Sequence, residues 1–181
     1  WSTTSPSAIA ISKFLNDKKF MSKIIECDNK KFELLGDDLQ MDLDFLIDLC
    51  AKNPGRLQYF SNIIPYEPKS EEIFRIRCQL VRKMLENDKE NFKYVGCLGV
   101  VRIICKENPQ MIAFANQKYL NIVDQAFQIV AFAPTCYQYV NCKDDKNLAL
   151  RAVKGDSSMF DFVPSHLQND PDIMRAKSEN I

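Results

Sequence analysis

Glycine is scarce, with five residues in 181. A phosphate-cradling loop needs several glycines close together so that backbone amides can approach the phosphate, and such loops are nearly excluded. Histidine occurs once, as His166, so any histidine-dependent chemistry has to use it. Net charge is also missing: 24 Lys and Arg balance 24 Asp and Glu. Without a basic or acidic excess, neither nucleic acid nor an anionic membrane is an expected partner. No apolar run approaches the roughly 18 residues that span a bilayer; Val100-Val101 and Ile103-Ile104-Cys105 are short and split by Arg102. No secretory leader opens the chain. It begins at Trp1, which reads as a piece of a longer protein. The seven cysteines, Cys27, Cys50, Cys78, Cys97, Cys105, Cys136 and Cys142, are odd in number and include no C-x-x-C pair. Several sit inside apolar helical patterns. They are expected as reduced, buried thiols in an intracellular, reducing compartment rather than as a disulfide or zinc framework.

What is present is an ordinary globular balance, 46% apolar and 27% charged, in a length that suits one domain or one short repeat array. A four-residue string, apolar-x-apolar-apolar, recurs as Phe32–Leu35, Leu57–Phe60, Phe92–Val95, Ile112–Ala115, Tyr137–Val140 and Phe160–Val163. The starts lie 25, 35, 20, 25 and 23 residues apart, with a polar, Pro-bearing insertion near 63–70 in the long step. The first and last copies agree furthest: Leu39-Gln-x-Asp-x-Asp-Phe-Leu46 lies over Leu167-Gln-x-Asp-x-Asp-Ile-Met174. Repetition at this period is the signature of units that bury their apolar faces only against neighbours.

Each string follows an apolar stripe at helical spacing, such as Phe45, Leu46, Leu49 and Cys50,. Between stripe and string stands a stop-start signal: Asn53-Pro54, Asn108-Pro109, Ala133-Pro134 or Asp156-Ser157. Asn or Asp accepts from an orphan helix amide, and Pro fits the first turn while ending the preceding helix. In four units the string continues at i, i+3 and i+7, which predicts a second α-helix. A longer helix is expected from Ser70 through Lys83, and an N-terminal helix from Ser12 to Cys27 with Phe14, Met21, Ile24 and Ile25 inward. The expected fold is all-α: about six short helical hairpins in tandem, forming an elongated or curved array over 29–177, after a leader and capping helix at 1–28 and before a tail at 178–181. The aromatic column Tyr59, Tyr94, Phe114, Tyr139 and Phe162 is expected in the core between units.

The string from Leu148 to Asp156, then Phe160–Val163, Leu167-Gln-Asn-Asp170 and Asp172-Ile173-Met174, resembles a family of tandem all-helical repeats catalogued as domain of unknown function 4116. The likeness covers roughly 141–177 and 32–60; residues 61–91 depart from it. Its motif consists of packing and capping residues, so the resemblance implies a fold and carries no catalytic residues. Members are often found in bacteria that live inside host cells, which implies an effector delivered into a host cytosol.

The candidates for chemistry are few. His166 lies in a turn without a thiol partner in its own segment, and Asp37-Asp38, Asp42-Asp44 and Asp144-Asp145 fall where carboxylates cap helices. No catalytic residue, no metal site and no cofactor is expected. Residues 61–120 hold ten Lys and Arg against seven Asp and Glu. Arg75, Arg77, Arg82 and Lys83 of the long helix are the candidate partner-binding residues. The sequence thus predicts a protein-interaction scaffold, a module of a larger protein. The alternatives are an effector or regulatory module of a host-associated microbe, and an enzyme with an unfamiliar Cys- or Asp-based site.

Overall fold

A computed structural model describes residues 6–59 and 68–179. Residues 1–5 of the expected leader and 63–67 of the expected insertion lie outside these. Among the described residues the protein is all-α, with eleven α-helices, six 3-10 helices and no strand. The α-helices are α1 (Pro6–Leu15), α2 (Lys18–Cys27), α3 (Asp37–Gln40), α4 (Leu43–Lys52), α5 (Pro68–Asn87), α6 (Leu98–Glu107), α7 (Lys118–Asn121), α8 (Val123–Val130), α9 (Lys146–Gly155), α10 (Ser165–Gln168) and α11 (Pro171–Glu179). The 3-10 helices are η1 (Asn29–Leu34), η2 (Pro54–Tyr59), η3 (Lys89–Tyr94), η4 (Pro109–Phe114), η5 (Pro134–Tyr139) and η6 (Ser157–Phe162). The chain divides into two compact units, Trp1–Val100 and Val101–Ile181.

Every 3-10 helix has six residues and follows an α-helix after a single hinge residue or a short gap. The hinge does what the sequence indicated. Asp28, Asn53, Asp88, Asn108 and Asp156 each accept, through the side chain, the amide two residues on, at 3.0, 3.0, 2.9, 3.2 and 3.0 Å. An Asx side chain held this way replaces a carbonyl of the preceding helix and starts the new turn. Ala133 is the hinge before η5 and has no such acceptor. Asp156→Ala is expected to cost about 1 kcal/mol, the usual worth of a capping carboxylate, read as a lowered urea midpoint.

The recurring string corrects the expected hairpin. It does not begin an α-helix: its first residue is the fourth of a 3-10 helix, and its last, where described, is the C-cap. Three residues per turn put i and i+3 directly above one another. Phe32, Leu57, Phe92, Ile112 and Tyr137 are buried, and so are the C-caps Leu35, Val95, Ala115, Val140 and Val163. The residue at i+2 is then a third of a turn away from that stripe. The aromatic column therefore leaves the core: Tyr94 and Phe162 are 37% and 40% exposed, and Tyr59, Phe114 and Tyr139 are half-buried.

In the first unit η1 packs on η2 and η2 on η3, while α4 packs on α5. In the second, η4 packs on η5 and η5 on η6, with α8 against α9 and α9 against α11. Each unit thus carries a row of α-helices beside a row of 3-10 helices, with the core between them. The rows approach closely at two glycines. A Cβ on Gly96 would stand 2.7 Å from the Gln58 carbonyl oxygen of η2, and one on Gly155 would meet the ring of Pro134.

The N-terminal helix is broken, not continuous. Asp17 caps α2 by accepting the Phe20 amide at 2.8 Å. Met21 and Ile25 turn inward, but Phe14 stays outside on α1 and stacks on Phe20 at 5.4 Å.

The first and last segments share more than letters. Lys18 at the start of α2 pairs with Asp42 at 2.5 Å, and Asp42 accepts the Phe45 amide at 3.0 Å. Lys146 at the start of α9 pairs with Asp170 at 2.8 Å, and Asp170 accepts the amides of Asp172 and Ile173. Gln40 donates to the Leu35 carbonyl at 2.7 Å, and Gln168 to the Val163 carbonyl at 2.9 Å. The Lys hydrogen bond is the main reason that both Asp42 and Asp170 titrate below the ordinary carboxylate range. A carboxylate with a depressed folded-state pKa contributes stability above its unfolded value, near 4, and loses it as pH falls through the lower folded value. The urea midpoint is therefore expected to drop progressively below about pH 4. In Lys18→Met/Lys146→Met that acid-induced drop should be smaller, which paired unfolding curves at pH 7 and pH 3 would measure.

Candidate functional site

The long helix disperses the four basic residues that the sequence singled out. The buried stripe of α5 runs through Ile73, Arg77, Leu80, Val81 and Met84, so position 77 is an inward one. Arg77 is 3% exposed and donates from Nη2 to Gln40 Oε1 at 3.1 Å; burial lowers its guanidinium to about 10. Arg75 is exposed and grips Glu72 of its own helix at 2.5 and 3.2 Å. Lys83 is exposed and pairs with Glu86 at 2.9 Å. Arg82 is half-buried and also partnered. The structure does not gather these four on one exposed face.

The thiols and carboxylates show no reactive grouping. Cys50, Cys78, Cys97, Cys105 and Cys136 are buried, and all seven cysteines are free thiols. Burial pushes Cys50 up to about 12 and raises Cys142. Cys105 is raised by its hydrogen bond with Cys136 and then by burial. A nucleophilic thiol needs the opposite shift. His166 is exposed, with Nε2 3.8 Å from Asp144 Oδ1. Asp42 and Asp145 cap α4 and α9 as expected. Among the described residues no three His, Cys, Asp or Glu side chains are grouped to hold a metal, and no helix is long and apolar enough to cross a membrane.

The second unit does present a built concave surface. Helix α8 buries Ala126, Ile129 and Val130. That leaves Val123 and Phe127, four apart, on its outer side. Helix α9 buries Leu148, Ala149, Ala152 and Val153 and leaves Asn147, Leu150, Arg151 and Lys154 outward. These outer stripes, with Asp124 and Asp145, line an open groove of about 610 Å³. Arg151 Nη2 reaches across to the Ala131 carbonyl at 3.0 Å, and Arg102 Nε donates to the Gln128 carbonyl at 2.9 Å. Two cations thus satisfy carbonyls at the C-terminal end of α8, where the helix dipole favours positive charge. Beside them, the Arg102 guanidinium and Lys106 Nζ lie 5.5 and 5.1 Å from the ring centre of Phe132.

The sequence reading passed over this groove. Its signal was there: Val123 and Phe127 sit on the side of α8 opposite its buried stripe, and an apolar pair outside the core marks a surface that something else covers. The chain matches no family model, no curated protein and no solved structure.

Proposed function

We propose that the protein is a non-enzymatic protein-binding module built from tandem helix and 3-10 helix units, with its outer helix faces available to a partner protein. The carrying observation is the α8/α9 groove. It is open, mixes Phe127 and Leu150 with both signs of charge, and has no titratable group tuned for chemistry. Protein interfaces combine apolar anchors with a polar rim in this way, whereas an enzyme site typically encloses groups with matched pKa values. The raised thiols count against a Cys nucleophile, and the capping of α4 and α9 by Asp42 and Asp145 counts against carboxylate catalysis.

The test uses the full chain as bait in its native cell, followed by reconstitution with the purified, identified partner. Saturable binding of that partner in calorimetry is the expected result. Enrichment of no protein, together with strong thermal stabilisation of the fold by a small molecule, would overturn the proposal.

A further inference from the structure

We infer that the α8/α9 groove seats a short amphipathic helix of the partner, antiparallel to α8 and α9, with an acidic side chain first, a large apolar one next and a basic one last. This inference rests on the protein-binding reading above and specifies the kind of segment bound.

The groove has a polarity that follows from its two parallel helices. Asp124 in the first turn of α8 and Asp145 at the N-cap of α9 make one end acidic. Arg151 and Lys154 make the other end basic, and the Arg151 bond to the Ala131 carbonyl fixes that end to the C-terminus of α8. Phe127, 38% exposed, and Leu150 lie between. From Asp145 to Arg151 and Lys154 the helix rises about 9 to 14 Å. A partner helix with opposite charges seven residues apart spans about 10.5 Å and reaches both ends. The apolar residue at i+4 then falls over Phe127 and Leu150.

Helix dipoles choose the direction. A free helix prefers acid at its start and base at its end. Laid antiparallel, it brings its acid to Arg151 and Lys154 and its base to Asp124 and Asp145, and its dipole opposes those of α8 and α9. An extended peptide would set unpaired backbone groups against two helix surfaces that offer no hydrogen-bond ladder. A phosphate-rich surface would meet the acidic end unfavourably.

The test takes alanine-based helical peptides of about 16 residues, long enough to be helical in water. One carries Glu, Leu and Lys at i, i+4 and i+7, and the other carries Lys, Leu and Glu in the same places. Amide resonances of the full chain report the binding site and affinity. The acid-first peptide should shift residues 123–131 and 145–154 and bind about tenfold more tightly than the reversed one, a preference that fades with salt. In Asp124→Lys/Lys154→Glu the preference should invert. If that variant loses its native circular dichroism, the salt titration of the unaltered chain decides alone. Equal affinity for the two peptides, a preference indifferent to salt, or shifts elsewhere would overturn the inference. Self-association of the chain that disappears in the charge-reversed variant would assign the groove to a second copy and equally overturn it. Should the partner found with the bait bind Phe127→Glu undiminished, the groove assignment fails while the protein-binding reading stands. If no partner is found at all, that reading fails by itself.

Discussion

Tyr137→Ala is expected to lower the unfolding free energy by about 3–5 kcal/mol, whereas Tyr137→Phe should cost about 1 kcal/mol. The ring is fully buried at the fourth position of η5, the place that the repeated string reserves for its largest side chain. Its hydroxyl donates to the Lys143 carbonyl at 3.0 Å. The alanine change removes ring and hydroxyl together and leaves a cavity between the α and 3-10 rows. The phenylalanine change keeps the ring and leaves one carbonyl without its donor. Urea unfolding of the two variants separates the contributions. If Phe costs as much as Ala, the hydrogen bond and not ring burial dominates this position, and the account of the string as a packing element is wrong.

Gly96→Ala is expected to cost about 1–3 kcal/mol, in the range of core overpacking. The added methyl would stand 2.7 Å from the Gln58 carbonyl oxygen and 3.3 Å from the Gln58 carbonyl carbon. Those are backbone atoms of η2, so no side-chain rotation relieves the contact. Either η2 or the segment after η3 must shift, and both belong to the packed 3-10 row of the first unit. The same substitution at Gly55, whose Cβ would meet an Asn53 side-chain oxygen at 3.0 Å and otherwise little, should be nearly neutral. Equal costs at the two positions in thermal unfolding would show that glycine entropy, not contact, sets the effect.

The two kinds of helix differ in how plainly the sequence announces them. The α stripes were legible because i, i+3, i+4 and i+7 are all filled, as in Phe45, Leu46, Leu49 and Cys50, and these four are buried. The hinges were legible because Asn-Pro and Asp-Ser carry their chemistry locally. The 3-10 helices were misread as α because i and i+3 are common to both. The discriminating position is i+4, which an α-helical face fills and a 3-10 face does not. After the six strings it holds Gly36, Ser61, Gly96, Asn116, Asn141 and Pro164, never an apolar residue. The same three-residue turn moved the aromatic column outward. Arg77 looked like a surface cation because charge is usually solvated; its place four residues after Ile73 and seven before Met84 was the better guide. The groove was overlooked because it depends on two helices meeting side by side, and no single segment contains it.

The paired Lys and Asp that tie the start of α2 to the start of α4, and the start of α9 to the start of α11, have an evolutionary corollary. Each tie is encoded by a few side chains at the borders of its segment, so the letters in between can drift while the joint survives. A stretch duplicated with its borders intact arrives with its fastenings already cut to fit, and a lineage can then lengthen or shorten the chain in whole steps without inventing a new joint.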